Sequence, residues 1–202
     1  MDIIKDKKFT DLPEEPLKEG TGLALIISTE KISALLYDLK SGKCLGEAHD
    51  DNGLSVIFKD AGEEEMTDYA ASSIENGLRL TSLIREKVYD IADTLSKECG
   101  RGALEIRYIT VAGTALTEHL YAAMPVFTLK GPEGMPLSEF GEEILAVPSV
   151  YYFPLKGKKV NGIENAAMLA ERCGFSGGRE EKALIGAALC LSQLYRKKAA
   201  EL

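Results

Sequence analysis

The chain has 202 residues, 45% of them hydrophobic and 28% charged, with a formal net charge of -8, which is enough for one sizeable core or at most two small domains. The acidic balance and a best basic run of only Arg196-Lys197-Lys198 weigh against a nucleic-acid partner, which needs a basic stripe. No apolar run approaches the roughly 20 residues that span a bilayer, and Met1 to Lys8 lacks the apolar core of a signal peptide, so a cytoplasmic protein with no membrane association is expected.

Residues 1 to 20 are charged and contain Pro13 and Pro16, the composition of a flexible arm. From Gly22 to Leu45 the chain reads GLALIISTEKISALLYDLKSGKCL: a buried strand, a turn around Thr29-Glu30-Lys31, a second strand of equal length, a Ser41-Gly42 turn and a third strand from near Cys44. Gly53 to Phe58 predicts a short extra strand, and Glu63-Glu64-Glu65 a solvated surface segment. Ser72 to Glu75 has the capping-box form S-x-x-E. The residues that follow predict a long helix with Ile74, Leu78, Ile84, Val88, Ile91 and Leu95 near one face, ended by a left-handed cap at Gly100.

Leu104 to Ala112, rich in β-branched and aromatic residues, predicts a buried strand. Gly113-Thr114 then opens a helix through about Ala123. Two readings of this junction stay open: backbone amides at a helix N-terminus can approach an anion, or Gly113 makes the turn and Thr114 caps the helix. Residues 124 to 148 carry four prolines (125, 132, 136, 148) and three glycines (131, 134, 141), so an irregular excursion is expected. Val150 to Phe153 predicts the last strand, and Asn161-Gly162-Ile163-Glu164 a capped helix start that runs to before Gly174. The final predicted helix, 179 to 200, places Leu184, Ala188, Leu191 and Tyr195 on one face, with Glu180 and Glu181 at its start and Arg196 to Lys198 at its end, as the macrodipole favours.

Cys44, Cys99, Cys173 and Cys190 are far apart and show no CxxC spacing, and His49 and His119 are not paired at helical spacing. Free, mostly buried thiols and no metal site are therefore expected.

Three hairpin strands followed by helix, strand, helix, strand and helix is the order of the ribonuclease-H-like subdomain that actin-like ATPases use twice. The chain resembles the actin-like ATPase domain of reductive activators of corrinoid proteins. Gly22 to Ile32 is similar to that family's GLAVDIGTTTI, VAGTALTEHLY to its VAGNTTMLHLL, keeping Val111, Ala112, Gly113, His119 and Leu120, and VYYFPLKGKKVNGIENAAML (150 to 169) to its VYLLPxxxxFVGxDxxAAIL. Tyr69 and Gly77-Leu78 in the middle helix fit as well. The fold class implied is α/β: a single ribonuclease-H-like, actin-like half-domain over residues 21 to 202, with a mixed five-stranded sheet and helices on its faces.

The resemblance implies ATP bound between two such subdomains. On this sequence the family's Asp falls on Ile26, its Gly on Ser28 and its three threonines on Thr29, Glu30 and Lys31. Loss of the Asp removes an anchor for hydrated magnesium, and the Ser28 side chain crowds an amide that must approach phosphate. The second lobe and an amino-terminal ferredoxin module are not represented, so one copy of the chain is not expected to make a two-lobed cleft. Three readings follow. The first is a non-catalytic accessory module that binds a protein partner: a corrinoid protein, a methyltransferase or a full-length activator. In the second, ATP and magnesium are held by Thr29, Lys31, Gly113 and Thr114 only where a dimer mate or partner completes the site. The third is a corrinoid or small-molecule binding module with His119 as ligand.

Overall fold

The computed structural model describes residues 20–130, 149–152 and 162–200. Strand β1 (Thr21–Ile27) is buried at every position, and its sequence TGLALII shows no polar alternation because both of its faces meet a core. Leu23, Leu25 and Ile27 enter one core, Ala24 and Ile26 the other. Strand β2 (Lys31–Asp38) runs antiparallel to β1, with Ile32 opposite Ile27 and Asp38 opposite Thr21, and β3 (Cys44–Asp51) runs antiparallel to β2. Strands β4 (Ile106–Gly113) and β5 (Ser149–Tyr152) add parallel on the other side, giving the order β3-β2-β1-β4-β5.

A parallel return from the hairpins to β4 needs a crossover. Helices α1 (Glu63–Ser72) and α2 (Ile74–Glu98) supply it. Three sequence expectations are corrected in this stretch. Gly53 to Phe58 is a single 3-10 turn, Leu54–Val56, and not a strand: Gly53 has φ 80°, and the Asn52 side chain accepts the Leu54 amide at 2.9 Å. Glu63-Glu64-Glu65 lies at the surface as expected, with Glu64 and Glu65 exposed, and forms the first turn of α1, where the helix dipole favours acidic residues; Met66 and Ala70 are the residues α1 buries. The cap of α2 is Ser73, whose extended backbone lets its hydroxyl accept the Asn76 amide at 3.1 Å, while Ser72 Oγ donates back to the Tyr69 carbonyl. Ile74 and Leu78 are 81% and 55% exposed. At about 100° per residue Leu78 lies about 100° round the helix from Leu95, and the inward stripe is Leu80, Ile84, Val88, Ile91 and Leu95.

The chain leaves α2 through Gly100 at φ 66°, the left-handed cap. Strand β4 begins at Ile106, because residues 103–105 form a 3-10 turn in which Leu104 is 91% exposed. Helix α3 (Ala115–Ala122) follows directly on β4. Of the Pro/Gly-rich excursion only residues 124–130 are described, with a 3-10 helix at Val126–Lys130; the arm at 1–19, residues 131–148, Phe153, Asn161 and the side chain of Tyr195 lie outside the described residues.

Helices α4 (Gly162–Arg172) and α5 (Arg179–Ala200) cover the second face. Their crossing is lined with Ala166, Ala167, Ala170, Ala183, Ala187 and Ala188, all buried. A Cβ on Gly186 would overlap the Ala166 carbonyl, so the backbones meet without an intervening side chain. Thr110 Oγ1 donates to the Ala187 carbonyl at 2.8 Å and fixes α5 to β4. The thiols are free, but only Cys44 is buried; Cys99 and Cys173 sit just past the ends of α2 and α4, half-buried and exposed respectively, and Cys190 in the middle of α5 is half-buried against the second core.

Candidate functional site

The carboxyl ends of β1 and β4 lie side by side, Ile27 opposite Gly113, at the end of a parallel pair where α/β sheets collect ligands. The structure brings the loop with Thr29 and Lys31 and the turn with Gly113 and Thr114 together here. Neither is open.

In the loop after β1, the Ser28 hydroxyl accepts the amides of Glu30 at 3.2 Å and Lys31 at 3.0 Å, and donates to the Lys31 carbonyl at 3.1 Å. Buried Asn52 holds the same loop from behind: its Nδ2 donates to the Ser28 carbonyl at 2.7 Å and its backbone amide to the Glu30 carbonyl at 3.2 Å. A hydroxyl thus takes two amides of the kind that face phosphate oxygens in a phosphate loop. Thr29 is half-buried beside them. The Lys31 ammonium lies 2.5 Å from Glu180 Oε2 in the first turn of α5, and Glu30 is exposed. Ile26, at the position of the family Asp, is 3% exposed within the core under α4 and α5, so it presents no anion to this end of the sheet.

The turn into α3 is closed in the same way. Thr114 caps the helix, accepting the Thr117 amide at 3.3 Å, while its own amide donates to Thr117 Oγ1 at 2.9 Å. Thr117 Oγ1 in turn donates to the Ile27 carbonyl at 2.6 Å and so links the end of β1 to the start of α3. The Gly113 amide donates to Glu118 Oε1 at 2.9 Å. Glu118 is wholly buried, and burial holds its carboxyl well above the usual carboxylate range, with the Gly113 amide pulling weakly the other way. Its Oε2 has no hydrogen-bond partner among the described residues. Gly162, the first residue of α4, roofs this carboxyl, because a Cβ there would overlap Glu118 Oε1 and stand 3.0 Å from the Gly113 amide.

His119 is also wholly buried. Its Nδ1 faces the Ala115 carbonyl at 2.8 Å and carries the proton, while burial lowers its basicity. As placed, it offers no nitrogen to a ligand arriving from solvent. Among the described residues no group of three His, Cys, Asp or Glu is arranged to hold a metal ion, and no helix is long and apolar enough to cross a membrane. Thr117, Glu118 and Asn52 are the site residues that sequence reasoning missed. The spacing of Thr114 and Thr117 is that of a capping box with threonine in the Glu/Gln place, and it was the available signal.

No protein-family model and no curated protein sequence matches the chain. Among solved structures, it matches a reductive activator for a corrinoid, iron-sulfur protein with a TM-score of 0.64 and 23% identity, over 74% of this chain and 25% of that one. The two share a fold, and the chain spans about a quarter of the activator's length. A second match, the activator of the 2-hydroxyisocaproyl-CoA dehydratase from Clostridium difficile with bound ADPNP, has 12% identity over 95% of this chain and 65% of that one, and its TM-score of 0.27 carries no argument. The motif resemblance and the structural likeness fall on the same kind of protein, the reductive activators of corrinoid proteins.

Proposed function

We propose that the chain is a ribonuclease-H-like, actin-like half-domain that acts as a non-catalytic accessory module, binding a protein partner in corrinoid or methyl-transfer metabolism. The observation that carries this reading is that the amides of Glu30, Lys31, Gly113 and Thr114 are each held by a side chain of the protein itself. A polyphosphate would have to displace Ser28, Thr117 and the buried Glu118, and would meet the negative charges of Glu30 and Glu180. One lysine, already paired with Glu180, does not offset that charge. What such a scaffold keeps is shape, and a shape without chemistry serves to bind.

Calorimetry and thermal shift with Mg-ATP and Mg-ADP test the reading. Nucleotide at 100 times its Kd stabilises a protein by about 2.7 kcal/mol, a shift of several degrees that a thermal scan reads easily. The expected result is no shift and no heat, together with co-purification of a corrinoid protein, a methyltransferase or a full-length activator from the native cell. Micromolar nucleotide binding with turnover by the chain alone would refute it. Binding that arises only after the recovered partner or a dimer mate is added would favour a site completed in trans through Thr29, Lys31, Gly113 and Thr114.

A further inference from the structure

The opposite end of the sheet carries a cleft of about 400 Å³ lined by Gly20, Asp38, Lys40, Arg101, Glu105 and Arg107. It lies at the amino ends of β1 and β4, about 20 Å along the strands from the site above, since seven residues rise about 3.3 Å each. On a chain of net charge -8 its lining is three cations and two carboxylates. Both carboxylates are already committed. Asp38 Oδ1 accepts the Ser41 amide at 2.7 Å and the Ser41 hydroxyl at 2.9 Å, and Oδ2 accepts Arg101 at 2.7 Å. Glu105 Oε1 accepts the Gly102 amide at 2.9 Å, and Oε2 lies 3.5 Å from the other Arg101 terminal nitrogen.

Arg101 is therefore pinned by two acids, with its backbone amide bonded to the Ser96 carbonyl at 2.8 Å. The Arg107 side chain is exposed and makes no hydrogen bond or ion pair with any described residue. Its stem crosses the start of β1, where Gly20 has φ +153° and a Cβ would stand 2.7 Å from Arg107 Cγ and 2.9 Å from the Glu105 carbonyl. Only glycine leaves room for the arginine to lie along the cleft wall. The result, among the described residues, is one guanidinium held rigid and a second without a partner beside it, in a cavity with no uncommitted carboxylate oxygen.

We infer that this cleft binds the oxyanion group of a small molecule, a phosphate or a carboxylate, through Arg107 with Arg101 as its fixed partner. Guanidinium groups match both oxyanions in paired hydrogen bonds. The full chain, labelled with nitrogen-15, is titrated with inorganic phosphate and separately with citrate, at fixed ionic strength held by sodium chloride. Saturable shifts are expected at the Gly20 and Leu39 amides and the Arg107 Nε-H, and the anion that saturates first identifies the source. Arg107→Gln, at an exposed position, keeps the wild-type unfolding midpoint and binds at least about tenfold more weakly. Shifts that stay linear in both anions, or saturation unchanged in Arg107→Gln, overturn the inference.

Discussion

Thr117 is the third residue of α3, and its hydroxyl is the only group among the described residues that bonds to both the Ile27 carbonyl and the Thr114 amide, at 2.6 and 2.9 Å. Thr117→Val keeps the volume and branching of the side chain and removes only that hydroxyl. The Ile27 carbonyl and the Thr114 amide are then left in a region where Ile27 is 0% and Thr114 8% exposed. A buried polar group without a partner costs about 1 to 3 kcal/mol, so two of them cost roughly 2 to 6 kcal/mol. For a chain of this size each kcal/mol lowers Tm by about 2 to 4 °C, which puts the expected drop at roughly 4 to 24 °C. Urea unfolding followed by circular dichroism gives the free energy directly, with Thr117→Ser as the variant that keeps the hydroxyl and stays near wild type. A Thr117→Val stability within about 0.5 kcal/mol of wild type would show that the junction is satisfied in some other way, and the reading of a turn closed by its own side chains would fall.

Glu118→Gln tests the buried acid. A carboxyl whose folded pKa lies above its ordinary value near 4.5 gives its full stabilisation below that value and loses it as pH rises through the folded pKa. Wild type should therefore weaken relative to Glu118→Gln as the pH rises above about 4.5, measured as the gap between urea midpoints, and parallel curves would count against a raised pKa. Gly186→Ala places a Cβ against the Ala166 carbonyl and must push α4 from α5, at a cost of about 3 kcal/mol or more; equal midpoints for the two proteins would mean that the helix crossing is looser than described.

The hairpins were legible because their information is local. A run of apolar residues, a turn and a second run specify β1 and β2, and the Gly100 cap and the Gly113-Thr114 junction are equally short-range signals. Helix α1 was not legible: its cap Gly62 offers no side chain to hold the first turn, and only Met66 and Ala70, one turn apart, are fully buried. The outward turn of Ile74 and Leu78 depends on where α2 meets its neighbours, which the spacing of apolar residues alone does not fix. At the site, the four candidate residues were found from the junctions that carry them. The groups that occupy their amides were not, because Glu118 and Asn52 look in sequence like ordinary polar residues, and Glu118 becomes a roofed acid only when Gly162, 44 positions later, closes over it.

The two-sided burial of β1 has a consequence for how the chain is made. Leu23, Leu25 and Ile27 find cover from α2 and α3, but Ala24, Ile26 and Leu35 wait for residues 162 to 191. At a synthesis rate of about 5 to 20 residues per second, one whole face of the central hairpin stays bare for several seconds after it leaves the ribosome. That interval is when strand edges pair wrongly and chaperones bind. The edge strand β3 carries Glu47, Asp50 and Asp51, charges of the kind that discourage edge-to-edge pairing with another chain, and it keeps them at the sheet edge in the finished fold.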